Sequence, residues 1–86
     1  MDETAGSPQL LDQLAEDASY FRPEIFAIYG VDRKGRPFLG WGMQLGETEA
    51  VYHEPGVSST WTSTSADQIL RTHQRIGEAR LTWLTD

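Results

Sequence analysis

The two histidines are the side chains of this sequence best suited to proton transfer or metal binding. His53 ends the run 49–53, and alternate residues of a strand share a face, so Glu49 and His53 are expected to point the same way. With His73 from a later helix, they could place two imidazoles and a carboxylate around a metal ion. The spacing matches no metal motif, because no H-x-x-x-H pair is present and His73 falls on the apolar side of its helix. We therefore expect neither a metal site nor a cofactor.

No catalytic nucleophile is marked in the sequence. The chain has no cysteine, no G-x-S-x-G motif and no glycine-rich loop leading into a helix, so neither a nucleophile nor a phosphate-binding loop is indicated. The missing cysteines also exclude disulfides and thiolate metal sites. His53 could act as a general base ahead of the Pro55-Gly56 turn, but no group beside it is identified for it to activate. The sequence leaves enzymatic activity open and favours a protein without it.

Two glycines in one predicted strand form the other feature that could bind a ligand. Within Phe38–Leu45, Gly40 and Gly42 share a face and leave a patch without side chains. Such a patch usually seats a helix or an aromatic ring, here for example Tyr29. In the alternative interpretation it is the floor of a small-molecule site with Tyr29, His53 and Glu49 around it, in a ligand-binding domain or a small enzyme.

Charge limits the classes of partner. Thirteen acidic and seven basic residues give a net charge of −6, which opposes nucleic-acid binding because that binding depends on neutralising phosphates. The acidic excess is concentrated near the start, where Asp12, Glu16 and Asp17 lie in the first predicted helix. These three residues could steer the chain to a basic protein, such as an enzyme that it inhibits.

The pattern of apolar residues and turns predicts two helices and five strands. Ser7-Pro8 begins a helix over about 8–20, and Ser65 with Gln68 forms a capping box for a second helix that Gly77 closes. The predicted strands cover residues 24–32, 38–45, 49–53, 57–62 and 81–84. A tight hairpin at 32–36 joins the first two strands.

This order, α-β-β-β-β-α-β, predicts one α+β domain with an antiparallel or mixed twisted sheet of about five strands and two helices. We expect residues 1–6 to be disordered. No signal peptide and no apolar run long enough to cross a bilayer is present, so we expect a soluble cytoplasmic protein, in a pattern typical of small bacterial domains.

The most informative expectation concerns the first strand, 24–32, which is apolar on both faces and should be covered on both sides. If both helices lie on one side of the sheet, the other side must be buried by a partner. We therefore expect a small accessory or regulatory protein-interaction module, either a homodimer or one that binds another protein. Trp41, Trp61 and the acidic residues of the first helix are its candidate contacts.

Overall fold

The computed structural model describes residues 7–84 and confirms the α+β class and the order of elements. The disorder expected of residues 1–6 lies outside the described residues. The elements, in chain order, are α1 (Ser7–Tyr20), β1 (Glu24–Asp32), β2 (Pro37–Leu45), β3 (Glu49–His53), β4 (Trp61–Ser63), α2 (Ala66–Gln74) and β5 (Gly77–Trp83). All strand pairs in the described part are antiparallel, in the order β4-β3-β2-β1-β5.

The β1–β2 hairpin turns where the sequence predicts it. Gly35 takes a positive φ of 79°, a conformation that costs glycine little. The Asp32 carboxylate accepts hydrogen bonds from the backbone N–H groups of Lys34, at 2.8 Å, and Arg36, at 2.9 Å. These bonds and the nearby basic side chains lower the pKa of Asp32 below its usual range. The hairpin therefore fixes the register of the two longest strands.

Helix α2 covers one face of the sheet and makes the core. Ser65 caps it as predicted, accepting a hydrogen bond from the Gln68 backbone N–H at 3.1 Å. The buried residues of this core come from α2 and from the three strands β1, β3 and β5: Phe26, Ile28, Ala50, Tyr52, Ala66, Ile69, His73 and Ala79. Burial of each large apolar side chain among them contributes about 1.5–3 kcal/mol before the entropy of folding is subtracted.

Three predicted boundaries are wrong, and one of them is the start of β5, which begins at Gly77 rather than at residue 81. Strand β4 has three residues and begins at Trp61 rather than at residue 57. Helix α2 ends at Gln74, because the Arg75 N–H bonds back to the Thr72 carbonyl and tightens the last turn. Gly77 does not close the helix but opens β5, where a side chain would collide with the backbone of β1.

Helix α1 does not lie on the sheet. All its described side chains are exposed except that of Asp17, which is half-buried. The molecule is 62 Å long, and its radius of gyration is 17.6 Å, against about 12 Å for a compact chain of this length. Because α2 covers only one face and α1 covers neither, the expectation that β1 is covered on both sides is wrong for the isolated chain.

Candidate functional site

The strand register assigns every sheet residue to one of two faces. In each antiparallel pair, directly opposed residues share a face, so Phe26, Gly42 and Tyr52 lie together under α2. Their neighbours along the strands point the other way. We call that second surface the open face and define it by six large apolar side chains of β1 and β2: Ile25, Tyr29, Val31, Leu39, Trp41 and Met43.

The open face is apolar and uncovered. Its six defining side chains are 37% to 47% exposed, and they lie on adjacent strands as opposed or diagonal neighbours. Ala27 lies among them and is buried at 4%, so the patch is continuous rather than a scatter of single residues. Proteins that act as monomers rarely expose a contiguous apolar surface of this kind.

Two shallow cavities lie at the margins of the open face. One, of about 390 Å³, is lined by Tyr29, Val31 and Pro37 with Glu78 and Arg80 of β5 among its walls. The other, of about 220 Å³, has walls that include Ile25, Trp41, Met43, Val51 and His53. Cavities of this size, with mostly apolar walls, can receive single side chains of a partner.

The two ends of the sheet carry opposite charge. At the hairpin end lie Arg33, Lys34 and Arg36, and the Arg33 guanidinium donates a 2.6 Å hydrogen bond to the carbonyl of Arg75 at the end of α2. We call this end the basic tip. At the other end, where β1 begins and β2 turns into β3, lie Glu24, Glu47 and Glu49. We call that end the acidic end.

A buried hydrogen-bonded network lies on the opposite, covered face. The Glu54 Oε2 atom is 3.1 Å from the Tyr52 hydroxyl and 3.3 Å from His73 Nε2. His73 Nδ1 lies 2.9 Å from the Ile69 carbonyl, so Nδ1 carries a hydrogen that it donates. The Nε2–Glu54 contact engages the second ring nitrogen, so both nitrogens of His73 have partners. We call these three residues the Tyr52–Glu54–His73 network.

Aromatic rings enclose this network. The His73 ring stacks against Trp61 at 4.3 Å and against Phe38 at 5.4 Å between ring centres. Only 1% of His73 is exposed, and within the described part every buried side-chain polar atom has a hydrogen-bond partner. An imidazole with both nitrogens engaged and both ring faces covered offers no approach to a substrate, so the network ties α2 to the sheet.

The Tyr52 hydroxyl should make stability depend on alkaline pH. Burial, the Glu54 charge and the hydrogen bond to Glu54 together raise the pKa of Tyr52. Above about pH 10 the unfolded chain loses a phenol proton that the folded chain keeps, so stability is complete below that pH and falls as pH rises. In urea titrations between about pH 9 and 11.5, the free energy of unfolding of Tyr52→Phe should fall less steeply with pH than that of the native chain. The difference should be at most about 1.4 kcal/mol per pH unit.

Tyr29→Phe is the matched control, since Tyr29 is 41% exposed and lies on the open face. At alkaline pH, Tyr29→Phe should lose as much free energy of unfolding as the native chain does. If the free energy of unfolding fell equally with pH in the native chain and in Tyr52→Phe, the result would contradict a buried, hydrogen-bonded Tyr52 hydroxyl.

The predicted ligand site is not assembled. Gly40 and Gly42 lie on the covered face, and a Cβ at either position would collide with the Tyr52 or Phe26 ring. Tyr29, His53 and Glu49 lie on the other side of the sheet. The glycines therefore seat aromatic rings, as the simpler interpretation expects, but the rings are Tyr52 and Phe26 rather than Tyr29.

The histidines are separated in the same way. His53 opposes Trp41 on the open side, whereas His73 is buried on the covered side. Within residues 7–84 no group of three or more histidine, cysteine, aspartate or glutamate side chains is close enough to hold a metal ion.

The predicted partner contacts divide between different surfaces. Trp41 lies on the open face, and Asp12, Glu16 and Asp17 lie on the projecting helix α1. Trp61 does not belong with them, because it packs on His73 and Tyr52 in the covered face. Tyr52 and Glu54 are not among the site residues predicted from the sequence, although a pair of glycines on one strand is a signal for large side chains on the neighbouring strand.

Comparisons of the chain with protein-family models, curated proteins and solved structures give no match. None of the helices in residues 7–84 combines the length and the apolar character that crossing a bilayer requires.

Proposed function

We propose that this chain is a small cytoplasmic protein-interaction module and that its partner binds the open face. One observation carries the proposal: six large apolar side chains form a continuous surface, each of them 37% to 47% exposed, on the side of the sheet that α2 does not cover. Leaving such a surface in water favours association with any complementary apolar surface.

The composition of the open face supports a protein partner. Tryptophan, tyrosine and methionine are enriched in the central parts of protein interfaces, and here Trp41, Tyr29 and Met43 lie on two adjacent strands. Trp41 forms part of the wall of the second cavity and is the candidate for the residue with the largest share of binding energy.

The charges of the open face argue against nucleic acid. Arg80 is the basic residue that the β1–β5 register places beside Tyr29, and its guanidinium lies 3.6 Å from the Glu78 carboxylate. A surface that binds a phosphate backbone needs several basic groups to displace its counterions. The apolar centre of the open face instead matches a protein surface.

Site-specific photocrosslinking in the native cells tests the proposal. A photoreactive phenylalanine analogue replaces Trp41 in one variant and the exposed Gln68 of α2 in the control. The proposal expects protein adducts from position 41, with either a second copy or another protein, and few from position 68. An equal yield from both positions, or none from position 41, would show that the open face is not an interface.

A further inference from the structure

We infer that the open face is covered by helix α1 of a second copy of this chain. The helix runs parallel to β1 of that partner, with its acidic half at the partner's basic tip, so successive copies associate head to tail. This inference rests on the proposed function, because it names the partner of the same surface.

Helix α1 carries an apolar stripe that matches the open face. Leu10, Leu11 and Leu14 are 59%, 62% and 51% exposed, and Ala18 continues the stripe toward the end of the helix. An isolated helix of 14 residues is only marginally stable in water, so α1 needs a packing partner. The chain thus presents two complementary apolar surfaces, and each contact between two copies covers α1 of one copy and the open face of the other.

Charge decides between the chain's own sheet and that of a second copy. Asp12, Glu16 and Asp17 lie in the middle and second half of α1, and the described helix has no lysine or arginine. If α1 folded back onto its own open face, it would run antiparallel to β1 and bring Glu16 and Asp17 to the acidic end of its sheet. Like charges brought together there would oppose folding back.

The parallel orientation reverses this charge pairing. It brings the acidic half of α1 beside the basic tip, where Arg33, Lys34 and Arg36 extend from the hairpin. A helix joined by a short connection to the start of β1 cannot run parallel to its own strand on that sheet. Only the helix of another copy can make this favourable contact.

The connection between α1 and β1 also opposes folding back. The Phe21 N–H still bonds to the Asp17 carbonyl at 2.8 Å, so only Arg22 and Pro23 separate the last helical hydrogen bond from β1. A residue before proline is kept in the extended region, which favours continuing the chain over reversing it. The length of 62 Å reflects this outward direction of α1.

The apolar stripe of α1 fits within the open face. The open face extends about 30 Å along β1 and about 15–20 Å across the neighbouring strands, and the stripe of α1 measures about 20 Å by 10 Å. The stripe is shorter and narrower than the open face, so one helix can lie on it along β1.

Disulfide trapping tests the orientation, because the chain has no native cysteine. Purified Ala18→Cys and Val31→Cys chains, each with a single exposed cysteine, are mixed and oxidised. The inference expects a heterodimeric disulfide at a yield well above that of the matched mixture of Ala18→Cys with Ile25→Cys. In a chain that folds back on itself, the double variant Ala18→Cys/Ile25→Cys would instead close an internal disulfide, and that result would overturn the inference.

Sedimentation equilibrium tests the contact itself. The native chain should self-associate, and Leu14→Asp should raise the dissociation constant at least about tenfold, since one buried leucine side chain is lost. Gln13→Asp, on the polar side of α1, is the control for added charge and should have a smaller effect. Self-association that Leu14→Asp leaves unchanged, or a native chain that stays monomeric near millimolar concentration, would overturn the inference.

The two proposals fail in different ways. A monomeric purified chain whose position 41 still crosslinks to another protein in cells would remove the second copy as partner and leave the proposed function standing. An open face that crosslinks to nothing would remove both.

Discussion

Gly42→Ala should destabilise the fold by about 2–3 kcal/mol, the upper part of the range for overpacked cores. An added Cβ would collide with the Val51 carbonyl of the paired strand and with the Phe26 ring. Neither can move away easily, because Val51 belongs to the β2–β3 ladder and Phe26 is fully buried against Tyr52 and Trp83. The measurement is the free energy of unfolding from urea titration.

Gly46→Ala is the control for this prediction. Gly46 has no atom within 4 Å of an added Cβ, but its φ of 72° favours glycine, so alanine there should cost about 1 kcal/mol from backbone conformation alone. If Gly42→Ala costs no more than Gly46→Ala, the space above Gly42 is not filled by Phe26. The surface at Gly40 and Gly42 would then again be a candidate floor for a ligand site.

Trp41→Glu should weaken self-association by at least about 30-fold, because tryptophan anchors at interface centres commonly contribute 2 kcal/mol or more. Trp41 is 44% exposed in the single chain, so the substitution removes little internal packing and adds a charge to the centre of the open face. The dissociation constant from sedimentation equilibrium and the urea midpoint of the dilute monomer should be measured together.

Val57→Glu provides the matched control. Val57 is similarly exposed, at 41%, and lies in the loop between β3 and β4. It adds the same charge away from the β1–β2 centre and should change the dissociation constant little. Equal effects of the two substitutions would mean that net charge, rather than the open face, controls association.

Local sequence patterns predicted most of the fold. The β1–β2 hairpin follows from Asp32 and Gly35, whose preferences need no distant contact, and the Ser65 cap of α2 is equally local. The end of α2 and the start of β4 were misplaced because tertiary contacts decide them. Gly77 pairs with Asp32 of β1, and that pairing, rather than helix termination, is what requires a glycine.

The candidate site was only partly predictable. Alternation placed Leu39, Trp41 and Met43 on one side of β2, as the structure shows, and it separated them correctly from Gly40 and Gly42. Alternation does not say which side a helix will cover. The predicted ligand site therefore combined Gly40 with His53, and the predicted partner surface combined Trp61 with Trp41. In the structure, the two residues of each pair lie on opposite faces of the sheet.

Hydroxyl-radical footprinting in native cells tests the central claim most directly, because the sheet carries two tryptophans of nearly equal exposure. Trp41 on the open face is 44% exposed, and Trp83, which packs beside Phe26 on the covered face, is 46% exposed. With oxidation of each residue normalised to the urea-unfolded chain, a covered open face predicts that Trp41 is oxidised at least about threefold more slowly than Trp83. Equal oxidation of the two, as their exposure in a single chain implies, would contradict the account.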